Sequence, residues 1–472
     1  MSVQETIARL GHLVDGEIVR GGQTFPVTDP SSGDVAAQVP LADTALLDKA
    51  ISAAVRAQPA WAADTDARRA VINAMCDVIE ANFTELDELA TVEKGVPGAG
   101  AELLGAVWYG RHIAASPIPA DIIQDDAEKT ITLERAPVGV VAAIAPWNMP
   151  GILLSEKIFS AFLLGNTVVA KPSPFTPLVT LRLGQLWQDV VPAGVLNVLA
   201  GDDAVGAALV ADPRVRLVSF TGSVAAGKRI AAEAGAAMKR VIAELGGNDA
   251  AIVLGDVDVK KAAPLLFGSA FILGGQVCAA VKRVLVHESV YDDLVSELAA
   301  IARATEVGPG TAFPPLGTRP QFERVCELVQ DALDHGGKAV TGGAPSDGPG
   351  FYYPPTIVTG VGPGVRLVDE EQFGPVLPVI PFTDVEDAIA QANGTDFGLS
   401  ASVWSSDIPR ARQLAQRLEA GTVLVNSHAE GGPNVPFGGC KASGIGRSGG
   451  QPGLDEYAEL KTVIVYKSAD RV

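Results

Sequence analysis

Six short apolar runs constrain this chain more than any other feature. They occupy 138–145, 167–170, 195–199, 216–220, 241–244 and 250–254, and helix-length segments separate them. They are built mainly from Val, Ile, Ala and Leu. An apolar run without polar alternation suits a strand covered on both faces, and strands separated by helices make a parallel sheet. The pattern predicts a doubly wound α/β unit, with a ligand at the carboxyl ends of its strands. A second alternating stretch begins near Asp256. Strands are expected there at 284–286, 377–380, 401–404 and 421–425, and helices at 291–305, 324–333, 385–392 and 409–418. Two amphipathic helices precede both units, at 44–62 and 67–93. The second carries Val71, Met75, Val78, Ile79 and Phe83 at helical spacing.

Length and composition narrow the function classes. A chain of 472 residues suits about three domains. Hydrophobic residues make up 47% and charged residues 19%, enough apolar surface for large cores and too much for a disordered chain. The net charge of −19 argues against nucleic acid and against an anionic membrane surface. Four cysteines, Cys76, Cys278, Cys326 and Cys440, form no C-x-x-C pair. They fit neither a disulfide framework nor zinc, and no metal site is expected. The first ten residues lack a signal-type apolar stretch, and no run of about 18 apolar residues occurs, so a soluble cytoplasmic protein is expected.

Two nucleotide motifs nearly match. Residues 444–449 spell G-x-G-x-x-G, but no expected strand precedes them and a Pro follows where a helix should open, so a turn is expected. Residues 222–229 approach a P-loop, yet Arg229 stands where a magnesium-binding hydroxyl is needed, which argues against an NTPase. What survives is a strand, a Gly-rich turn and a helix start, whose free amides suit a phosphate. Cys278 is singled out by its small neighbours, at the expected end of a long apolar helix. Asn148, Lys171, Thr221–Ser223 and Glu244 each follow a predicted parallel strand, so topology alone brings them to one crevice.

The motifs are PWN at 146–148, KPS at 171–173, FTGS-x-x-x-G at 220–227, ELGG at 244–247, GQ-x-C at 275–278, EEQFGPV at 370–376 and PFGG-x-K-x-SG-x-G at 436–446. In this order, over nearly the whole chain, they resemble the aldehyde dehydrogenase superfamily. The resemblance implies three parts: a Rossmann-like NAD(P)-binding domain (1–126 and 136–245), an α/β catalytic domain (246–440) and a small β oligomerisation arm (127–135 and 451–472). It implies oxidation of an aldehyde to the carboxylic acid through a thiohemiacetal and a thioester. Cys278 would be the nucleophile, Asn148 and the Cys278 N–H the oxyanion hole, and Glu244 the base that activates water. A glutamate at 244 favours hydrolysis over transfer of the acyl group to coenzyme A. NAD or NADP would lie along Ala145, Pro146, Trp147, Lys171, Ser173, Thr221, Gly222, Ser223, Gly227, Leu245, Glu371 and Phe373. Lys171 would hold the adenosine ribose, Glu371 would hold the nicotinamide ribose, and Phe373 would back the ring.

Three departures from the family pattern stand out. Pro174 replaces a glutamate that often selects NAD, which leaves Lys171 and Ser173 free to accept NADP. Val277 precedes the nucleophile where some relatives have another cysteine. Lys282 replaces a small hydroxyl residue, with no role legible in the sequence. The family arm implies a homodimer or homotetramer. The substrate tunnel is expected near 102–108, 149–154, 276–278 and 428–433. Apolar side chains there, and no arginine pair, lean toward an uncharged aliphatic or aromatic aldehyde.

Overall fold

The computed structural model describes residues 2–468. Met1 and residues 469–472, assigned above to the first domain and to the arm, lie outside the described residues. The first sheet has eight strands. Its core is five parallel strands in the spatial order Arg240–Glu244, Val215–Thr221, Val140–Ile144, Thr167–Lys171 and Leu196–Val198. Numbered along the chain this is 5-4-1-2-3, so the order reverses between Val140–Ile144 and Val215–Thr221. Chains leave that point in opposite directions and open a crevice beyond the carboxyl ends. The strands are apolar because both faces are covered: Val141, Ala142, Val168 and Leu217 are all fully buried.

The second sheet has seven strands, in the order Lys338–Thr341, Thr356–Thr359, Val376–Phe382, Arg283–His287, Ala250–Val253, Ser400–Trp404 and Thr422–Val425. Ala250–Val253 belongs here, between Arg283–His287 and Ser400–Trp404. The apolar pattern alone runs it on from the first unit, whereas the boundary at 246 implied by the resemblance puts it in the second. Apolar periodicity marks a buried strand but carries no information about which sheet it joins. The third sheet pairs Ala458–Tyr466 with Lys129–Pro137 over nine residues and adds Asp121–Asp125 on the other side. That last strand is largely exposed and left no trace in the pattern.

Local differences have local causes. The helix expected at 67–93 is two, Thr65–Ala81 and Phe83–Lys94, broken at Asn82. The helix before Cys278 ends at Phe271, seven residues early. Gly444–Ile445, expected as a turn, is a two-residue strand antiparallel to Ala243–Glu244, closing the edge of the first sheet.

Candidate active site

Register places the polar groups. Thr221 is level with Glu244, Phe220 with Ile144, and Ile144 with Lys171. Lys171, Thr221 and Glu244 therefore lie across one edge of the sheet, and the segment after Ile144 brings Trp147 and Asn148 over it. Only Leu245–Asp249 separates Glu244 from the start of the second sheet at Ala250. The site thus lies between the carboxyl edge of one parallel sheet and the amino edge of the other.

Cys278 reaches this seam through an irregular segment. Leu273, Gly274 and Gly275 all take positive φ (48°, 64° and 75°), and a Cβ at Gly275 would collide with the Gly374 backbone. Gln276 then locks the turn: its amide donates to the carbonyls of Leu273 (2.9 Å) and Pro315 (3.0 Å) and accepts from the Gly317 N–H (2.8 Å). This explains the glutamine of the GQ-x-C motif, to which the sequence assigned no role. The Gln276 carbonyl accepts from Asn148 Nδ2 at 2.9 Å. One amide hydrogen of Asn148 is thereby anchored and the other is left for a ligand. The Cys278 N–H makes no backbone hydrogen bond among the described residues. Two donors are available beside a half-buried thiol.

Electrostatics at the seam are set by burial. Glu244 is 5% exposed, and neither carboxylate oxygen has a hydrogen-bond partner among the described residues. Burial pushes its carboxyl up to about 8, with Lys157 pulling the other way. Lys157 is buried too, and burial lowers its ammonium, opposed by Glu156, Glu244 and Cys278. Burial pushes the Cys278 thiol up to about 12, and Lys282 opposes this most. Lys282 turns inward: its ammonium bonds the carbonyls of Val277, Cys278 (3.4 Å) and Ala280 (3.4 Å) and sits 5.8 Å from the centre of the Phe373 ring. It is the ammonium held by the loop that carries Cys278.

Two cavities meet at Cys278, Thr221 and Leu153. One, of about 620 Å³, is lined by Met149, Ile152, Tyr109, Phe271, Leu273, Phe313, Ala429 and Gly431, with Glu102, Glu156, Glu244 and Glu430 as its carboxylates. Glu102 pairs with Lys94 at 3.4 Å. Trp108 is not in its wall; it is 55% exposed. Glu156, Phe313 and the 94–101 segment were not anticipated.

The other cavity, of about 1030 Å³, is lined by Ala145, Pro146, Trp147, Lys171, Ser173, Thr221, Gly222, Ser223, Leu245, Glu371 and Phe373, together with Phe175 and Asp203, which the sequence reading missed. Gly227 is not in its wall. It lets the helix Val224–Ala236 approach the first sheet, because a Cβ there would strike Leu245. Ser223 caps that helix through the Ala226 N–H (3.3 Å), and among the described residues no backbone hydrogen bond uses the Val224 and Ala225 N–H groups. Lys171 is 4% exposed and burial lowers its ammonium to about 8. Glu371 accepts from the Gly247 N–H at 3.0 Å, and a Cβ on Gly246 would collide with its carboxylate. Phe373, at φ 44°, stacks edge-on to Trp147 with centres 5.5 Å apart. Free amides, a buried ammonium and glycines that let backbone approach fit a dinucleotide's phosphates and riboses.

The aldehyde dehydrogenase family model matches residues 18–463. The chain belongs to the aldehyde dehydrogenase family. It is 36% identical to the aldehyde dehydrogenase LUC3 of a Fusarium species over 97% of this chain and 99% of that one. It is also 36% identical to the phenylacetaldehyde dehydrogenase of Pseudomonas fluorescens, over 97% and 96%. Its fold matches an aldehyde dehydrogenase from Bacillus cereus, solved as an NAD+ complex, with a TM-score of 0.96 and 34% identity, covering 99% of this chain and 98% of that one. This aldehyde dehydrogenase is an NAD(P)-dependent oxidoreductase, and neither the P-loop nor the coenzyme A alternative is supported.

Proposed function

We propose that Cys278, Asn148 and Glu244 are the catalytic residues of this enzyme and that water is its acyl acceptor. The observation that carries this reading is Glu244: a buried carboxylate without a hydrogen-bond partner among the described residues, on the wall of the same cavity as Cys278. The Cys278 thiol releases its proton to solvent, and the thiolate adds to the aldehyde carbon as the carbonyl oxygen becomes an oxyanion. Asn148 Nδ2 and the Cys278 N–H stabilise that charge where it develops. Bound NAD(P)+ supplies a hydride acceptor in the adjoining cavity. Loss of hydride from the thiohemiacetal leaves a thioester on Cys278. Glu244 takes a proton from water, which attacks the thioester carbon, and the Cys278 sulfur leaves as thiolate. The sum is aldehyde plus water plus NAD(P)+ giving acid, NAD(P)H and a proton.

The same reading assigns residues 1–126 and 136–245 to the cofactor domain, 246–440 to the catalytic domain, and 127–135 with 451–472 to an arm that pairs copies as a homodimer or homotetramer; the third sheet extends that arm to Asp121–Asp125. Exposed Ile122, Ile123, Leu460, Ile464 and Val465 on that sheet support the pairing. Four unpaired cysteines suit the cytoplasm. The largely apolar wall of the smaller cavity favours an aldehyde with an uncharged body. Glu156, buried in that wall, favours a second reading, an aldehyde that carries a cation. The pair 3,3-dimethylbutanal and trimethylammonioacetaldehyde, equal in shape and unequal in charge, separates the two by kcat/KM. Aldehyde-dependent NAD(P)H formation that needs no coenzyme A and vanishes in Cys278→Ser supports the mechanism. Turnover that persists in Cys278→Ser overturns it.

A further inference from the structure

We infer that Asp203 makes this enzyme select NAD over NADP. The inference rests on the placement of the adenosine ribose at Lys171. Pro174 lines that end of the cavity and can neither accept a hydrogen bond from the ribose nor repel a phosphate. The next element does both. Helix Asp203–Ala211 packs against Lys171, since a Cβ on Gly206 would stand 3.5 Å from the lysine Cδ and Cε. Its cap, Asp202, is occupied: its carboxylate accepts from the Ala204 and Val205 N–H groups at 3.0 and 3.1 Å. Asp203 has no such duty. Among the described residues its carboxylate makes no hydrogen bond or ion pair; it lines the cavity with Lys171, Ser173 and Pro174, and together with Asp202 it attracts the Lys171 ammonium.

A carboxylate beside a lone ammonium suits a vicinal diol, which donates two hydrogen bonds. A 2′-phosphate has no donor to offer when fully ionised and brings a charge of about −1.5 to −2. The cavity's arginine, Arg324, is held by Glu370 at 2.7 Å, next to Glu371, and so belongs to the other end. The −19 charge of the chain adds no compensating field. The sequence pattern at 171–174 alone opens the site to NADP, and the fold closes it from another helix.

The test is equilibrium binding by calorimetry, with NAD+ and NADP+ as probes and no aldehyde present. The wild-type enzyme should bind NAD+ at least about tenfold tighter than NADP+. Asp203→Asn and Asp203→Ser should each shrink that ratio about tenfold, chiefly by tightening NADP+, and Asp203→Glu should retain it. Glu233→Gln, the same charge change on an exposed helix position, should leave the ratio alone. Lys171→Met should weaken both dinucleotides. If it weakens neither, the adenosine end lies elsewhere and the inference falls with the placement. A wild type that prefers NADP+, or a ratio that neither Asp203 variant moves, overturns the inference while leaving Cys278 chemistry intact.

Discussion

Glu244 is expensive to keep ionised, because burial opposes its charge. Folding raises its carboxyl from 4.5 to about 8, so between those values the folded state holds a proton that the unfolded chain has released. Stability from this group is therefore present below about 4.5 and is lost as pH rises through about 8. Glu244→Gln should raise the melting temperature, with a gain that grows between pH 5 and 9 in thermal scans. The same variant should lower kcat by ~10²–10⁴. In the wild type the hydrolytic step should speed up with pH through about 8, because only the carboxylate can take a proton from water. Lys282 gives a second residue-scale prediction. Removing a buried cation that opposes the rise of the Cys278 thiol should shift the pH profile of iodoacetamide alkylation upward in Lys282→Met, and Lys282→Arg should restore part of it. An unchanged profile in Lys282→Met would leave the lysine a purely structural role. Cys278, Asn148 and Glu244 were legible as candidates because each sits in a short contiguous motif. Asp203, Glu156 and the inward turn of Lys282 were not, because each depends on packing between elements distant in the chain.

At the scale of elements, the parallel strands were legible because burial on both faces removes polar alternation from them. The exposed strand Asp121–Asp125 and the two-residue Gly444–Ile445 carry no such signature. The link from 245 to 249 matters most here, since it joins the two sheets and carries the Gly247 N–H that holds Glu371. Gly246→Ala would push a methyl group into the Glu371 carboxylate. It should weaken NAD+ binding by about tenfold, a loss of about 1.4 kcal/mol, while leaving the rate of Cys278 alkylation near wild type. Equal loss of both would place the damage in the fold rather than in the cofactor cavity.

At the scale of the whole molecule, the two sheets meet edge to edge and the third exposes apolar side chains. Ile122 and Ile123 are 68% and 61% exposed. The double change Ile122→Lys, Ile123→Lys should turn an oligomer into a monomer in sedimentation velocity, and a wild-type monomer would refute the pairing. The division of labour across the seam is the central claim: one sheet edge supplies Asn148 and Glu244, and the facing edge supplies Cys278. Mass spectrometry of intact Glu244→Gln mixed with an aldehyde and NAD+ tests it most directly. The enzyme should gain the mass of the aldehyde less two hydrogens, on the peptide containing Cys278, and the adduct should be absent from Cys278→Ser. An adduct on another residue, or full turnover of Glu244→Gln without any adduct, would contradict the account.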